Sequence, residues 1–384
     1  MDEAVVVVGN FLPEFIPLTP FFSLQPHEYF WVEHQSFLLS RGYQLRPRYH
    51  ASWTPSWTTP KHNPGSTLAS AYRHEDIYAA IDSGVIDATR VADGKQVVLR
   101  ITQRNTQALE IIRRMNWPEL RDDWRNKVVP LLDHFALPDN PEFVVVVEPI
   151  LRRFDSPLFR TLEEVAEALF QFLGLEFLHK HDIAHRDVTL RNMKLDASDI
   201  IPDGFHFSAP HMSAGEGRTY FQWRARHRVL SGDYFLVDFG LAKVYPEGPE
   251  LARDVGVFGC DPTVPELSDT VPYNPFKVDV FQLGNTFVQL SEKYPLVERV
   301  FQPLLAAMTS RNPEDRPTPT QAITQLVAIG RKLSSATSDA ELLYVAEDEY
   351  DPGLAELENE LISDSDSSEE EHDQEDGWED TLEE

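Results

Sequence analysis

The sequence has 384 residues, of which 42% are hydrophobic, and a formal net charge of -29. This apolar content suffices for one large domain or two ordinary ones, so a chain disordered throughout is excluded. Residues 346–384 hold 19 Asp and Glu and no Lys or Arg, so most of the acidity lies in the tail. An acidic surface repels the phosphates of nucleic acids and of anionic membranes, and we expect neither as a principal partner.

The cysteine content and the N-terminus indicate a compartment. Cys260 is the single cysteine, which excludes an intramolecular disulfide framework and suits a reducing environment. The first residues, MDEAVVVVGNF, are acidic where a secretory signal would be basic. No apolar segment approaches the roughly 20 residues that span a bilayer. We expect a soluble intracellular protein, cytoplasmic or nuclear, of unknown oligomeric state.

The first half of the chain divides into two segments. Residues 1–75 are rich in proline and aromatic residues without a sustained period, which favours an extension or a wrapping arm whose tryptophans dock on the next domain. Residues 76–150 then carry β-type runs, VIDATRV and KQVVLRI, a helical stretch, NTQALEIIRRM, and a further strand pair ending in EFVVVVEPIL. The second segment is predicted to form a small antiparallel β lobe with one helix.

The second half is mainly helical. From Leu162 to Lys180 apolar residues recur at helical spacing, which predicts one long buried helix. Residues 151–338 are predicted to form a larger helical lobe with an insertion at about 197–232, and residues 339–384 an acidic disordered tail. Further helical patterns cover 277–292, 294–309 and 318–335.

The stretch AHRDVTLRNMKLD follows the long helix and places Asp187 and Asn192 five positions apart. Phosphoryl transfer needs a group that orients the incoming hydroxyl and hard oxygen ligands for magnesium. We expect Asp187 to orient the hydroxyl and Asn192 to hold a metal from the same loop. Asp238, after the β-type run in YFLVDFGLAKVY, would be the second metal ligand. Asp187, Asn192 and Asp238 are therefore the predicted catalytic residues, and the last two the predicted metal ligands.

These motifs resemble the eukaryotic protein kinase family over roughly residues 77–335. HRDVTLRN matches the catalytic loop H-R-D-x-x-x-x-N, and DFG matches the metal-binding motif of the family. Three later landmarks follow in the family order: Glu266 in TVPE, Asp279 in DVFQLG and Arg316 in NPEDRP. The resemblance implies a two-lobed α+β fold, in which Asp279 braces the catalytic loop and Arg316 pairs with Glu266. The arrangement is also similar to a divergent group of kinase-like proteins abundant in fungi.

The same resemblance implies that ATP and Mg²⁺ lie between the lobes. Arg100 stands in VVLR where a lysine normally contacts phosphate and pairs with a helix glutamate, here Glu110. The implied nucleotide-binding residues are Gly84, Arg100, Glu110, Glu148, Ile150 and Thr189, with residues 148–151 connecting the lobes and lining the adenine pocket.

Three departures from the family pattern weaken the nucleotide site. The phosphate cover, placed at AAIDSGVIDATRV, has only Gly84 instead of three glycines. Arginine in place of lysine keeps the charge, but its planar fork is not equivalent. Thr189 occupies the position of a lysine usual in serine/threonine kinases. Between Asp238 and Glu266 there is no serine, so activation by loop phosphorylation is not expected unless Tyr245 is used.

Several interpretations remain open from the sequence. The first is an ATP- and Mg²⁺-dependent protein kinase acting on serine or threonine of protein substrates. The second is a catalytically impaired pseudokinase that works as a binding or scaffold module. A small-molecule phosphotransferase is disfavoured by the later landmarks. A zinc site at His181 and His185 would need further ligands, and simple turn formation would not explain the order of the motifs.

Overall fold

The computed structural model describes residues 23–58, 74–80, 83–214, 221–226, 229 and 232–335, with side chains described as far as residue 332. The predicted disordered tail, 339–384, lies outside the described residues, as do parts of the predicted N-terminal extension and of the insertion.

The small lobe is built on a five-stranded antiparallel sheet of spatial order β1-β2-β3-β5-β4. Valine-rich strands such as VVVV suit a sheet that is buried on both faces. Its elements are α1 (Tyr29–Ser40), β1 (Tyr43–Leu45), β2 (Val85–Arg90), β3 (Gln96–Gln103), α2 (Gln107–Met115), α3 (Pro118–Arg121), β4 (Asp133–Ala136) and β5 (Phe143–Pro149).

One face of this sheet is covered by α1. Trp31 and Leu38 of α1 are fully buried and pack in one cluster with Ile86, Leu99 and Val147 of the strands. The sheet thus extends into the segment that was predicted to be an extension, because β1 pairs with β2 through Tyr43 opposite Arg90. The sequence did not indicate this strand because three residues are too few to show an alternating pattern.

The opposite face of the sheet carries α2. Leu109 of α2 packs against Val144 and Val146 of β5. The hydroxyl of Thr106 caps the start of the helix by accepting a hydrogen bond from the backbone N–H of Leu109 at 3.3 Å. The predicted small β lobe with a helix is therefore present.

The large lobe is mainly helical and carries short two- and three-stranded sheets. Its helices bury large apolar side chains, among them Phe172, Phe287 and Phe301. The elements are β6 (Arg152–Arg153), α4 (Leu162–Phe172), α5 (Leu175–Lys180), β7 (Ile183–Ala184), β8 (Met193–Leu195), β9 (Tyr234–Leu236), β10 (Lys243–Val244), β11 (Asp254–Gly256), β12 (Ser268–Tyr273), α6 (Pro275–Ser291), α7 (Pro295–Met308) and α8 (Pro319–Ser335).

The helix predicted from 162 to 180 is divided into α4 and α5 at Gly174. A Cβ at this glycine would lie 2.6 Å from the carbonyl oxygen of Arg125 and 2.7 Å from that of Gln171. Glycine is therefore required for the close approach of neighbouring backbone, and the apolar spacing alone could not reveal the break.

The two-lobed α+β fold expected from the sequence is confirmed: a small antiparallel β lobe with helices is followed by a larger, mainly helical lobe. Within the part of the chain that the structure describes, no helix is both long and apolar enough to cross a membrane.

Candidate active site

The loop between β7 and β8 is held in place by a buried carboxylate of α6. Asp279 is fully buried and accepts hydrogen bonds from the backbone N–H groups of His185 (2.9 Å) and Arg186 (2.6 Å), while the His179 ring lies 2.9 Å from the same carboxylate. Arg186 has a φ of 68°, a left-handed conformation that is strained for a side chain of this size. The Asp279 bonds stabilise this turn and fix the residue that follows.

That residue is Asp187, which contacts Asn192 directly. The Asn192 amide nitrogen donates to Oδ2 of Asp187 at 2.8 Å and to its carbonyl oxygen at 3.0 Å. The backbone N–H of Cys260 donates to Oδ1 of Asp187 at 2.7 Å. Both side chains are buried, and these donors fix the orientation of the Asp187 carboxylate. Because the amide nitrogen of Asn192 faces Asp187, its amide oxygen remains for another ligand.

Asp238 is attached to the same loop. The backbone N–H of Val237 donates to the carbonyl oxygen of Asn192 at 3.0 Å, and the His185 ring lies 3.1 Å from the carbonyl oxygen of Val237. Asp238 itself has a φ of 60°, and such strain persists where the surroundings enforce it, commonly at functional sites. The structure therefore brings Asp187, Asn192 and Asp238 into one site.

The oxygens of Asn192 and Asp238 fit magnesium by their chemistry. Mg²⁺ prefers hard oxygen ligands and commonly takes one or two from the protein, with water and phosphate supplying the rest. Among the described residues, no group of three or more His, Cys, Asp and Glu side chains is arranged to hold a metal. The histidines considered for zinc have other contacts, since the His181 ring bonds the carbonyl oxygen of Phe177 and His185 that of Val237.

Arg100 pairs with a different carboxylate from the expected one. Its guanidinium forms an ion pair with Glu148, whereas Glu110 is exposed in the first turn of α2. The reason is strand register: Arg100 lies opposite Val146, and Glu148 follows two residues later on the same face of β5. Burial lowers the pKa of Arg100, but the charges of Glu148 and Asp238 raise it above its ordinary value. The guanidinium therefore stays charged within electrostatic reach of Asp238.

Gly84 is joined to the edge of β3 through its backbone. Its carbonyl oxygen accepts a hydrogen bond from the N–H of Ile101 at 2.8 Å, directly before β2. Because β1 ends at Leu45, the connection between the first two strands is residues 46–84. Gly84 thus stands at the end of this connection, whose start could not be recognised in the sequence because β1 was not detected.

Ile150 and Thr189, the two other residues implied in nucleotide binding, lie in the connection between the lobes and in the Asp187 loop, respectively. Ile150 is half-buried and directly follows β5, in the connection between the lobes. Thr189 lies within the Asp187 loop, and its carbonyl oxygen accepts from the N–H of Asn192 at 2.9 Å. The buried Thr189 hydroxyl has no hydrogen-bond partner among the described residues and supplies no charge in place of lysine.

Asp254, which the sequence did not indicate, anchors the segment after Asp238. Its carboxylate accepts from the Tyr245 hydroxyl at 2.5 Å and lies 3.2 Å from Lys243 Nζ and 3.6 Å from Arg186 Nη1. Burial and the bond to Asp254 raise the pKa of Tyr245, whose side chain is buried. The tyrosine considered for modification is thus enclosed. No spacing or motif marked Asp254, because its partners come from separate elements.

The end of this segment is fixed by a buried ion pair. Arg316, 2% exposed, donates to Glu266 through both Nη atoms, and the Nη2 contact is 2.7 Å. The same guanidinium donates to the backbone carbonyl oxygens of Ser310 and Lys277. These contacts join the segment before β12 to α6 and to the turn before α8.

Comparison with known proteins gives a distant match. The chain is 27% identical over 233 residues to cyclin-dependent kinase-like 2 of Rattus norvegicus, covering 57% of this chain and 40% of that protein. The protein of the same name in Mus musculus gives 27% identity, with 57% and 36% covered, and that of Homo sapiens gives 26% over 220 residues, with 55% and 39% covered. The chain thus spans about two fifths of the length of these curated relatives.

No family model matches the chain. Two features relate the chain to known proteins: the weak similarity to cyclin-dependent kinase-like 2 and the two-lobed fold. Together they support a protein kinase-like family for this chain.

Proposed function

We propose that the chain is an ATP- and Mg²⁺-dependent protein kinase acting on serine or threonine of protein substrates, within the divergent kinase-like group abundant in fungi. The observation that carries this proposal is the direct contact of Asp187 with Asn192, with Asp238 attached to the same loop through Val237. Phosphoryl transfer requires little more from a protein than such positioning and electrostatic stabilisation.

Each residue has a role that follows from its contacts. Asp187, held by the donors of Asn192 and Cys260, would accept a hydrogen bond from the substrate hydroxyl and orient it for transfer. Asn192 and Asp238 would hold Mg²⁺, which neutralises charge on phosphate oxygens. Arg100 would contact phosphate with its permanent charge.

The test is transfer of labelled phosphate from Mg-ATP to generic protein substrates and to the chain itself. Asp187→Asn and Asp238→Asn are each expected to lower the rate by roughly 10²-fold or more. Asp233→Asn is the matched control, because the Asp233 side chain is 69% exposed and lies 3.8 Å from its cationic neighbour, Lys127. If the wild type transfers no phosphate and shows no thermal shift on adding Mg-ATP, the proposal is wrong. Equal transfer by all variants would reveal a contaminating kinase.

A second candidate, a pseudokinase that serves as a binding module, is favoured by one observation. The guanidinium of Arg100 is already paired with the carboxylate of Glu148, so phosphate would have to compete with Glu148 for it. Under this candidate, the wild type neither binds Mg-ATP nor transfers phosphate although it is folded. Binding without transfer would instead indicate a nucleotide-regulated module.

A further inference from the structure

A row of side chains crosses the cleft face of the small-lobe sheet. Val98 lies two residues before Arg100 on β3 and therefore shares its face. Val98 is opposite Asp87 of β2 on one side and opposite Glu148 of β5 on the other. Arg46, the residue after β1, extends the row, since its Nε donates to Oδ1 of Asp87 at 2.9 Å. One apolar side chain thus lies between two carboxylates.

The guanidinium of Arg46 is saturated with hydrogen bonds. Arginine has five N–H donors. Besides Asp87, they reach Glu75 Oε1 (3.0 Å), the carbonyl oxygen of Tyr78 (2.8 Å), the Tyr49 hydroxyl (3.3 Å) and Ser208 Oγ (3.3 Å). The side chain is only 9% exposed. Arg46 therefore has no donor left for a phosphate or a base and acts as a structural tie.

This tie joins the two lobes. Ser208 belongs to the segment after β8, in the large lobe, whereas Arg46 directly follows β1 of the small lobe. His206 of the same large-lobe segment lies 3.4 Å from Glu75 Oε1, and its ring packs on Tyr78 with centroids 5.1 Å apart. We call this set, Arg46, Glu75, Tyr78, His206 and Ser208, the interlobe latch.

The segment that carries His206 and Ser208 is anchored in the large lobe. The Arg152 guanidinium packs on the rings of Phe205 and Phe221, with centroid distances of 5.0 Å and 4.4 Å, and donates to the carbonyl oxygen of Pro210. His206 is buried. The latch therefore connects two fixed bodies rather than a fixed body and a free loop, so separating the lobes must break its bonds.

Resting on the proposed function, we propose that the interlobe latch closes the base-binding part of the cleft and that Mg-ATP binds only after the latch opens. The base would lie beside residues 148–151 and thus beside the row of Asp87, Val98 and Glu148. A purine that enters there meets the ion pair of Arg46 and Asp87 in place of an apolar surface. If only a minor fraction of the molecules has an open latch, the apparent affinity for Mg-ATP is reduced in proportion to that fraction. Weakening the latch increases the open fraction and therefore the apparent affinity.

The test compares Mg-ATP titrations by calorimetry of the full-length wild type and the double variant His206→Phe, Ser208→Ala. Phenylalanine keeps a ring on Tyr78 but removes the bond to Glu75, together with the bond that His206 Nδ1 accepts from the backbone N–H of Ala209 within the large lobe. Alanine removes the bond to Arg46. The variant is expected to bind Mg-ATP about tenfold more tightly, as two bridging bonds are lost. The control is Arg90→Gln, Asp93→Asn, which removes an ion pair lying wholly within the small lobe and should leave the affinity unchanged.

A second variant, Arg46→Leu with Asp87→Val, removes both partners of the ion pair and should also bind more tightly if it folds, which thermal unfolding would verify. Equal or weaker binding by the His206→Phe, Ser208→Ala variant, or no binding by any form, overturns the latch proposal. Tighter binding without phosphate transfer supports the latch and counts against the proposed kinase activity. Transfer with unchanged affinity supports the kinase activity and overturns the latch, so the two failures are distinguishable.

Discussion

The backbone N–H of Cys260 donates to Oδ1 of Asp187 at 2.7 Å, which attaches the end of the segment after Asp238 to the proposed hydroxyl-orienting carboxylate. The preceding residue, Gly259, allows this approach with a φ of 93°. A Cβ there would lie 2.9 Å from the carbonyl oxygen of Arg186 and 3.1 Å from Oδ1 of Asp187.

Gly259→Ala is therefore expected to displace Cys260 from Asp187. The strained φ alone should destabilise the fold by about 1–3 kcal/mol, and the short contacts add to this. Gly42→Ala is a matched control, because Gly42 has a φ of 90° but nothing within 4 Å of its added Cβ. Urea unfolding should show the larger loss for Gly259→Ala. Equal losses would mean that the contact with Asp187 does not constrain the segment.

Arg316→Lys should destabilise the large lobe. Lysine cannot reproduce the paired bonds of Arg316 to Glu266, and it leaves carbonyl groups of Ser310 and Lys277 without their donor. We expect a loss of about 3 kcal/mol in the free energy of unfolding, as for a damaged buried ion pair. The same change at exposed Arg253, which bonds backbone carbonyl groups only, should stay within about 0.5 kcal/mol. Similar losses at both positions would argue against a special role for the buried pair.

Stability at acid pH should depend on Glu28, which is fully buried against Arg48. Burial raises the pKa of Glu28, but the hydrogen bonds from Arg48 and Gln25 and the charge of Arg48 lower it below its ordinary value of 4.5. The stabilisation is therefore complete above pH 4.5 and is lost as the pH falls through the lower folded-state pKa.

Glu28→Gln should consequently flatten the fall in unfolding free energy below pH 4.5, besides lowering stability at neutral pH. Denaturant unfolding at a series of pH values measures this slope. Glu33→Gln, on the exposed side of α1, is the control. If both variants keep the wild-type slope, Glu28 does not contribute to acid unfolding.

Glu148 should compete with phosphate for Arg100. Glu148→Gln removes the opposing charge but keeps a hydrogen-bond acceptor, so we expect Mg-ATP to bind up to about tenfold more tightly in a fluorescence titration. Arg100→Ala should instead weaken the fold by about 3–5 kcal/mol, because it leaves Glu148 buried and unpaired. Weaker binding by Glu148→Gln would show that Glu148 positions Arg100 for phosphate rather than withholding it.

The sequence predicted the elements of the site that are local in the chain. Asp187 and Asn192 belong to one short loop, so their spacing placed them together, and Asp238 was added because its DFG motif resembles the metal-binding motif of protein kinases. The partner of Arg100 depends on which residue of β5 lies beside it, and this register is a property of the assembled sheet. Arg46, Asp87 and Ser208 come from three distant segments, and no local pattern links them.

The same reasoning explains the outcome for the fold. Long amphipathic patterns predicted the large-lobe helices, and valine-rich runs predicted β3 and β5. Strand β1 was not predicted because it is defined by tertiary contacts, in which Trp31 and Leu45 are buried against β2 and β3. The break at Gly174 is likewise set by the neighbouring carbonyl of Arg125 rather than by the helix itself.

The pairing of Tyr43 with Arg90 has a consequence for how the small lobe assembles. The β2–β3 hairpin closes over a short turn, whereas β1 must be brought back across residues 46–84 at a larger loss of chain entropy. We therefore expect the edge strand that comes first in the sequence to join last. Pulse-labelling hydrogen exchange during refolding would detect this as late protection of the Gln44 amide, which faces β2, and protection simultaneous with that of β3 would contradict it.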